Sequence, residues 1–153
     1  PGKSGNAVNT RTLDLINSAQ SNIKVICWQI TSKDIMKALT KKAKKGVLVQ
    51  VITDSDPFQS ENMLSFPNIS NFSVKLNNKP RAGKYKSFIH EHILIVDDRV
   101  VLFGTNNWTA KGFYRNDEAI LYTDYFPIAD DFVNHFNELE SILDENAKLL
   151  KQD

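Results

Sequence analysis

The sequence predicts an α/β fold, a mixed β-sheet flanked by helices, on the strength of three observations. Residues 22–30, 47–53 and 89–96 are short, β-branched apolar runs with the length and composition of buried strands. Residues 7–20, 35–43 and the stretch after Pro127 instead place apolar side chains at helical spacing. The succession strand, helix, strand from residue 22 to 53 needs a crossover and so argues for a parallel pair. The polar turn Asp97-Asp98 between two apolar runs argues for an antiparallel one, which makes the sheet mixed.

Composition sets the outer bounds. With 153 residues, 41% of them hydrophobic, the chain suits one globular domain over 1–153 with a real core. Residues 1–6 read as a loose terminus, and the Pro1-Gly2 start without methionine as a processed or engineered end. The formal charge of +1 sums 19 basic and 18 acidic side chains, so any preference for a charged partner rests on their distribution. The single cysteine, Cys27, excludes an intramolecular disulfide and sits in an apolar run as a buried, inert thiol. No apolar run reaches transmembrane length and no signal-peptide pattern is present.

Taken in order, Val8, Thr12, Leu15, Ile16 and Ala19 form the buried stripe of the first helix. Thr31-Ser32-Lys33-Asp34 resembles a capping box, which starts a second helix with Ile35, Met36, Leu39 and Ala43 inward. Lys41, Lys42, Lys44 and Lys45 crowd its end, where cations complement the helix dipole, and Gly46 stops it. Residues 54–70 mix turn formers with scattered apolar side chains; a short helix around 61–66 is expected and no chemistry is read there. A strand at 72–76 leads into a loop carrying Lys79, Arg81, Lys84 and Lys86 with Tyr85 among them. Such a loop is either an ordinary charged connection or a phosphate-holding, base-stacking one. The last strand is expected at 119–123. The final helix then buries Ile128, Phe132, Phe136, Leu139 and Leu143, and its other face carries Asp130, Asp131, Glu138, Glu140, Asp144 and Glu145. That acidic face places any nucleic acid elsewhere, and His135 reads as a surface or packing histidine.

Residues 88–118 carry the chemistry. In an extended run residues two apart share a face, so His90 and His92 point the same way, roughly 6–7 Å apart along the backbone, and Glu91 points away. Gly104-Thr105-Asn106-Asn107 sets a hydroxyl and a carboxamide at the end of the return strand, and Glu118 precedes the next one. Trp108 is expected in the core. Singly, each of these residues has an ordinary structural reading; their joint spacing is what points to a site.

That spacing resembles the phospholipase D superfamily, whose signature is H-x-K-x4-D, then G-S/T-x-N, then an acidic residue. His90, Asp97, Gly104, Thr105, Asn107 and Glu118 fall in register with it, and His92 stands where the family has lysine. The upstream strand and helix pattern, ending K-K-G-V-L-V-Q-V-I-T-D, is similar to the short single-motif bacterial endonucleases. The resemblance implies a phospholipase D-like sheet and a metal-independent phosphodiesterase without cofactor. Such an enzyme would be a sequence-nonspecific endonuclease on DNA, with RNA left open as a further substrate, acting through a phosphohistidine. It implies His90, His92, Asp97 and Glu118 as the catalytic set, with Asp97 fixing the turn and Glu118 orienting an imidazole. Thr105, Asn107, Lys84 and Lys86 would hold substrate. With one motif copy, the family's second histidine must come from a second subunit, hence a homodimer with His90 from each chain in one site. It also implies a periplasmic or secreted protein whose leader is absent from this chain.

His92 divides the readings. The family lysine is a permanent cation, whereas a histidine there is charged only if its pKa is raised. A natural variant in which His92, Lys84 or Lys86 supplies the charge, an engineered inactivating substitution and a phosphate-binding pseudoenzyme all fit. A zinc site on His90 and His92 finds no further ligand at familiar spacing. A non-catalytic nucleic-acid-binding dimer and a cardiolipin-type phospholipase are the competing functions.

Overall fold

The computed structural model describes residues 3–54, 66–77 and 89–149. In chain order these give α1 (Lys3–Ser18), β1 (Asn22–Cys27), α2 (Lys33–Lys44), β2 (Leu48–Asp54), β3 (Phe72–Asn77), β4 (His92–Val96), β5 (Val100–Gly104), α3 (Ala110–Arg115), β6 (Ile120–Thr123) and α4 (Phe126–Leu149). The short helix expected around 61–66 falls outside the described residues, Phe66 aside, as do Lys79, Arg81, Lys84, Tyr85 and Lys86.

The sheet has the order β3-β2-β1-β4-β5-β6. β1, β2 and β3 run parallel, and β4, β5 and β6 join them antiparallel, so the mixed sheet predicted from sequence is the one observed. Because strand side chains alternate, each central strand feeds two cores. Ile23, Val25 and Cys27 of β1, with Leu94 and Val96 of β4, face Leu15, Ile16, Ile35 and Leu39 of the first two helices and Phe113 of α3. Ile26, Ile93 and Ile95 face the other way, onto Ala129, Phe136 and Leu143 of α4. Each fully buried Ile or Leu in these layers contributes about 1.5–3 kcal/mol relative to exposure. The Cys27 thiol is buried, and burial pushes it up to about 12 against a weaker opposing hydrogen bond with Thr53, consistent with an inert thiol.

Local chemistry sets the element ends. Ser32 caps α2, its hydroxyl accepting from the Ile35 amide at 3.4 Å, and Gly46 adopts φ +92°, the left-handed conformation that favours glycine. Lys42, expected only to complement the dipole, donates to the Ala19 carbonyl at 2.7 Å and so ties α2 to the end of α1. α1 begins at Lys3, ahead of the expected start at Ala7, since no proline interrupts residues 3–6. In α4, Pro127 lies in the first turn, where its missing N–H costs little. Ile128, expected inside, is exposed; Ala129, one position on, takes the inward place while Phe136 and Leu143 are buried as expected.

The β4–β5 hairpin turns on Asp97 and Asp98, both at positive φ (54° and 52°), with the Arg99 amide donating to the Val96 carbonyl at 3.1 Å. The Asp97 carboxylate accepts from the amides of Gln20, Ser21 and Asn22 and from the Ser21 hydroxyl, at 2.7–3.1 Å. Partial burial alone would raise its pKa, but those donors together outweigh burial and hold the carboxyl below its ordinary value. A carboxyl depressed in the folded state stabilises above its unfolded pKa of about 4, and that stability is lost as pH falls through the lower folded value. Asp97→Ala is therefore expected to cost about 2–3 kcal/mol at neutral pH. Urea unfolding should show this gap and its narrowing as the pH is taken down from about 4; a gap independent of pH would contradict the clamp.

Candidate active site

One rim of the sheet gathers the candidate residues. The carboxyl ends of β1, β2 and β3, the start of β4, the end of β5 and the start of β6 meet there, as the strand registers require. The centre of that rim is where parallel pairing gives way to antiparallel, the kind of switch point at which α/β sheets open a crevice. A cavity of about 190 Å³ opens beside it, lined by His90, His92, Gly104 and Phe132 among others.

His92 is the first residue of β4, paired with Cys27 of β1, and it is buried at 6% exposure. Ile89 to Glu91, expected to be strand, are irregular, and His90 is exposed. The two imidazole rings nonetheless stay on one side, 5.6 Å apart in a T-shaped arrangement. Glu91 points away, as its position predicts, and meets His135 of α4 at 2.8 Å. That contact is exposed on both sides and contributes little to stability.

Burial pushes the His92 imidazole down, the neighbouring His90 adds to the effect and Glu118 opposes it, leaving it at about 4. At neutral pH His92 is therefore uncharged and cannot stand in electrostatically for a lysine. Both of its ring nitrogens are buried without a hydrogen-bond partner among the described residues.

Thr105 and Glu118 are brought together. The Thr105 hydroxyl donates to the Glu118 carboxylate at 2.5 Å and accepts from the Ala119 amide at 3.1 Å, while Asn116 donates to the other carboxylate oxygen at 2.9 Å. Glu118 thus reaches the His92 imidazole through its field, and its hydrogen bonds go to Thr105 and Asn116. Gly104 makes this corner possible: a Cβ there would lie 2.1 Å from the Ala119 carbonyl oxygen, so only glycine lets β6 start so close. Asn107 is half-buried with its carboxamide oxygen unpartnered among the described residues, and Trp108 is core at 1% exposure, as expected. Asp97 is not brought to the histidines: it lies past the far end of β4, committed to the 20–22 loop. Lys84 and Lys86 lie outside the described residues.

Two features escaped the sequence reading. The helix α3 is six residues long with a glycine inside, too short for a periodic signal; Thr109 caps it by accepting from the Gly112 amide at 3.0 Å. Asp54, at the end of β2, is wholly buried and accepts from the Ile89 amide and from Asn77, each at 3.1 Å. It fixes the backbone one residue before His90. Its only signal was an acid closing the apolar run V-I-T-D. Among the described residues no group of three or more His, Cys, Asp or Glu side chains is placed to hold a metal ion.

Comparison with known proteins places this fold in the phospholipase D class. The family profile described as "Cardiolipin synthase, PLD-like domain" matches residues 12–140. The chain belongs to the phospholipase D superfamily through this PLD-like domain. NucT from Helicobacter pylori shares the fold, with a TM-score of 0.79 and 21% identity over 90% of each chain. Nuc from Salmonella typhimurium, a phospholipase D family member, matches with a TM-score of 0.70 and 26% identity, over 85% of this chain and 84% of that one. The mitochondrial cardiolipin hydrolase of Xenopus laevis is 28% identical over 130 residues, 85% of this chain; the chain spans 60% of that relative's length.

Proposed function

We propose that residues 1–153 act as one phospholipase D-like domain that hydrolyses phosphodiesters without a metal. On this reading the protein is a sequence-nonspecific endonuclease on DNA, and on RNA, working as a homodimer with one composite site. The observation that carries it is the placement of His90: exposed on the rim, its backbone held through Ile89 by buried Asp54, its ring beside a neutral imidazole. A ring nitrogen of His90 attacks phosphorus, the bond to the leaving oxygen breaks, and the partner subunit's His90 protonates that oxygen. Water then cleaves the phosphorus–nitrogen bond, its proton returning to the second histidine. Asn107 donates to a phosphoryl oxygen, and Thr105 does so when its hydroxyl turns from Glu118, with Lys84 and Lys86 supplying charge. Glu118 tunes the imidazoles through its field, while Asp97 serves the turn.

Likeness to the fold of NucT and Nuc, at similar length, supports the nuclease reading. A second reading, hydrolysis of a lipid diester, is favoured by the match to cardiolipin hydrolases. Among the described residues no helix is long and apolar enough to cross a membrane. Plasmid and short single-stranded DNA, and separately vesicles containing cardiolipin, should be incubated with the protein in excess EDTA across about pH 5–8. Chelator-resistant nicking of DNA, with a dimer in sedimentation, is the expected result. Release of phosphatidic acid with DNA intact would establish the lipid reading. DNA binding without turnover of either substrate would leave a binding module.

A further inference from the structure

Beside His90 stands a side chain that the family signature does not include. Trp28 follows β1 directly, and its carbonyl oxygen accepts from the Thr53 hydroxyl at 2.9 Å and the Asp54 amide at 3.3 Å. These bonds pin its backbone to the end of β2, so the indole is placed by the sheet. Its ring centroid lies 6.1 Å from that of His90, at 43°. His92, 5.6 Å from His90, completes the grouping, so the candidate nucleophile has aromatic nitrogen-bearing rings near it from both β1 and β4.

The indole N–H of Trp28 is buried and has no acceptor among the described residues, and both ring nitrogens of His92, one a donor, are buried without a partner there. Buried donors are nearly always paired, because leaving one unmet forfeits its hydration without return. Unmet groups on two rings beside one exposed imidazole indicate a ligand whose atoms accept hydrogen bonds there. Trp28 as a whole is only half-buried, unlike Trp108 in the core, so the residue lies at the surface of the site. An indole has no acceptor and one donor. What it can take from a phosphodiester is a non-bridging oxygen, the atom that must be steadied as phosphorus is attacked at His90.

From these positions we infer that Trp28 is a substrate-binding residue whose indole N–H donates to a non-bridging phosphoryl oxygen of the diester at His90, with His92 donating beside it. This rests on the phosphodiesterase reading above and deepens it. Anion binding at this rim is then built partly from neutral donors, which offsets the lost charge of the family lysine.

The test uses the intact protein and a short single-stranded DNA, with the same sequence carrying neutral methylphosphonate linkages as control. The chain has two tryptophans, and Trp28 is the one at the rim, so its emission reports occupancy. Phosphodiester DNA is expected to change the emission, and the neutral analogue to do so far more weakly. Trp28→Phe keeps an aromatic ring and removes the donor. It should lose the emission change, weaken binding roughly ten-fold and lower kcat/KM by at least as much, since a bond to a charged acceptor is among the stronger ones. If the unaltered protein binds and cuts DNA while its emission stays constant, or Trp28→Phe matches it in affinity and kcat/KM, the inference fails and the nuclease reading stands. If the unaltered protein neither binds nor cuts DNA, both fail together.

Discussion

Replacing His90 with alanine is expected to abolish turnover, by at least about a thousand-fold in kcat, while leaving the fold intact. The imidazole is exposed, and the contacts it shows among the described residues are ring contacts with Trp28 and His92. Nothing in either core therefore depends on it, and the cost in stability should be small. In a composite dimer site every copy loses both nucleophile and acid, so mixing His90→Ala with unaltered subunits gives a sharper result. A heterodimer has one histidine where two are needed, and activity should fall with the square of the unaltered fraction. A linear fall would refute the shared site and leave each subunit working on its own His90, whereas residual cleavage by His90→Ala within about ten-fold of the unaltered protein would remove His90 from the mechanism.

His92→Lys is expected to raise kcat/KM at neutral pH by roughly ten-fold or more at low salt, through a permanent cation where the present imidazole is neutral. The measurement is the pH profile of both forms. With its value pushed down to about 4, His92 stays essentially neutral from pH 8 to about 6, so a gain over that range in the unaltered protein comes from elsewhere. Lysine would add its charge throughout, lifting the whole profile. An unchanged rate would show that the site already meets the anion's needs. The present histidine also has a stability signature. An imidazole neutral in the fold and basic when unfolded supports the fold fully above pH about 6.5. That support is lost as pH falls toward about 4, because the unfolded chain binds the extra proton. His92→Phe should flatten that part of the acid unfolding curve.

What could be read from sequence was governed by locality. The parallel β1–β2 pair, the capped α2, the Asp97-Asp98 turn and the core position of Trp108 each follow from a short pattern, and the structure contains all of them. The order of strands did not follow, because register between β1 and β4 is written in no contiguous segment. Asp54 stayed silent for the same reason: its partners are 23 and 35 residues away. At the site, spacing alone put His90 and His92 on one side and turned Glu91 from them. The charge of His92 could not be read, since it is set by burial in a sheet not yet assembled. The pairing of Glu118 with Thr105 depends on the closeness that Gly104 permits.

The clamp around Asp97 and the histidines occupy opposite ends of β4, separated by roughly 15 Å of strand. Fastening and reactivity are thus housed on different edges of the same sheet, joined by buried aliphatic residues that tolerate no polar change. The reactive edge can accordingly be altered, at position 92 or at Trp28, without loosening the closure that keeps the chain folded. An engineer inherits the same freedom: reinforcing the 20–22 and 97–98 corner should raise thermal tolerance and leave substrate choice where it is.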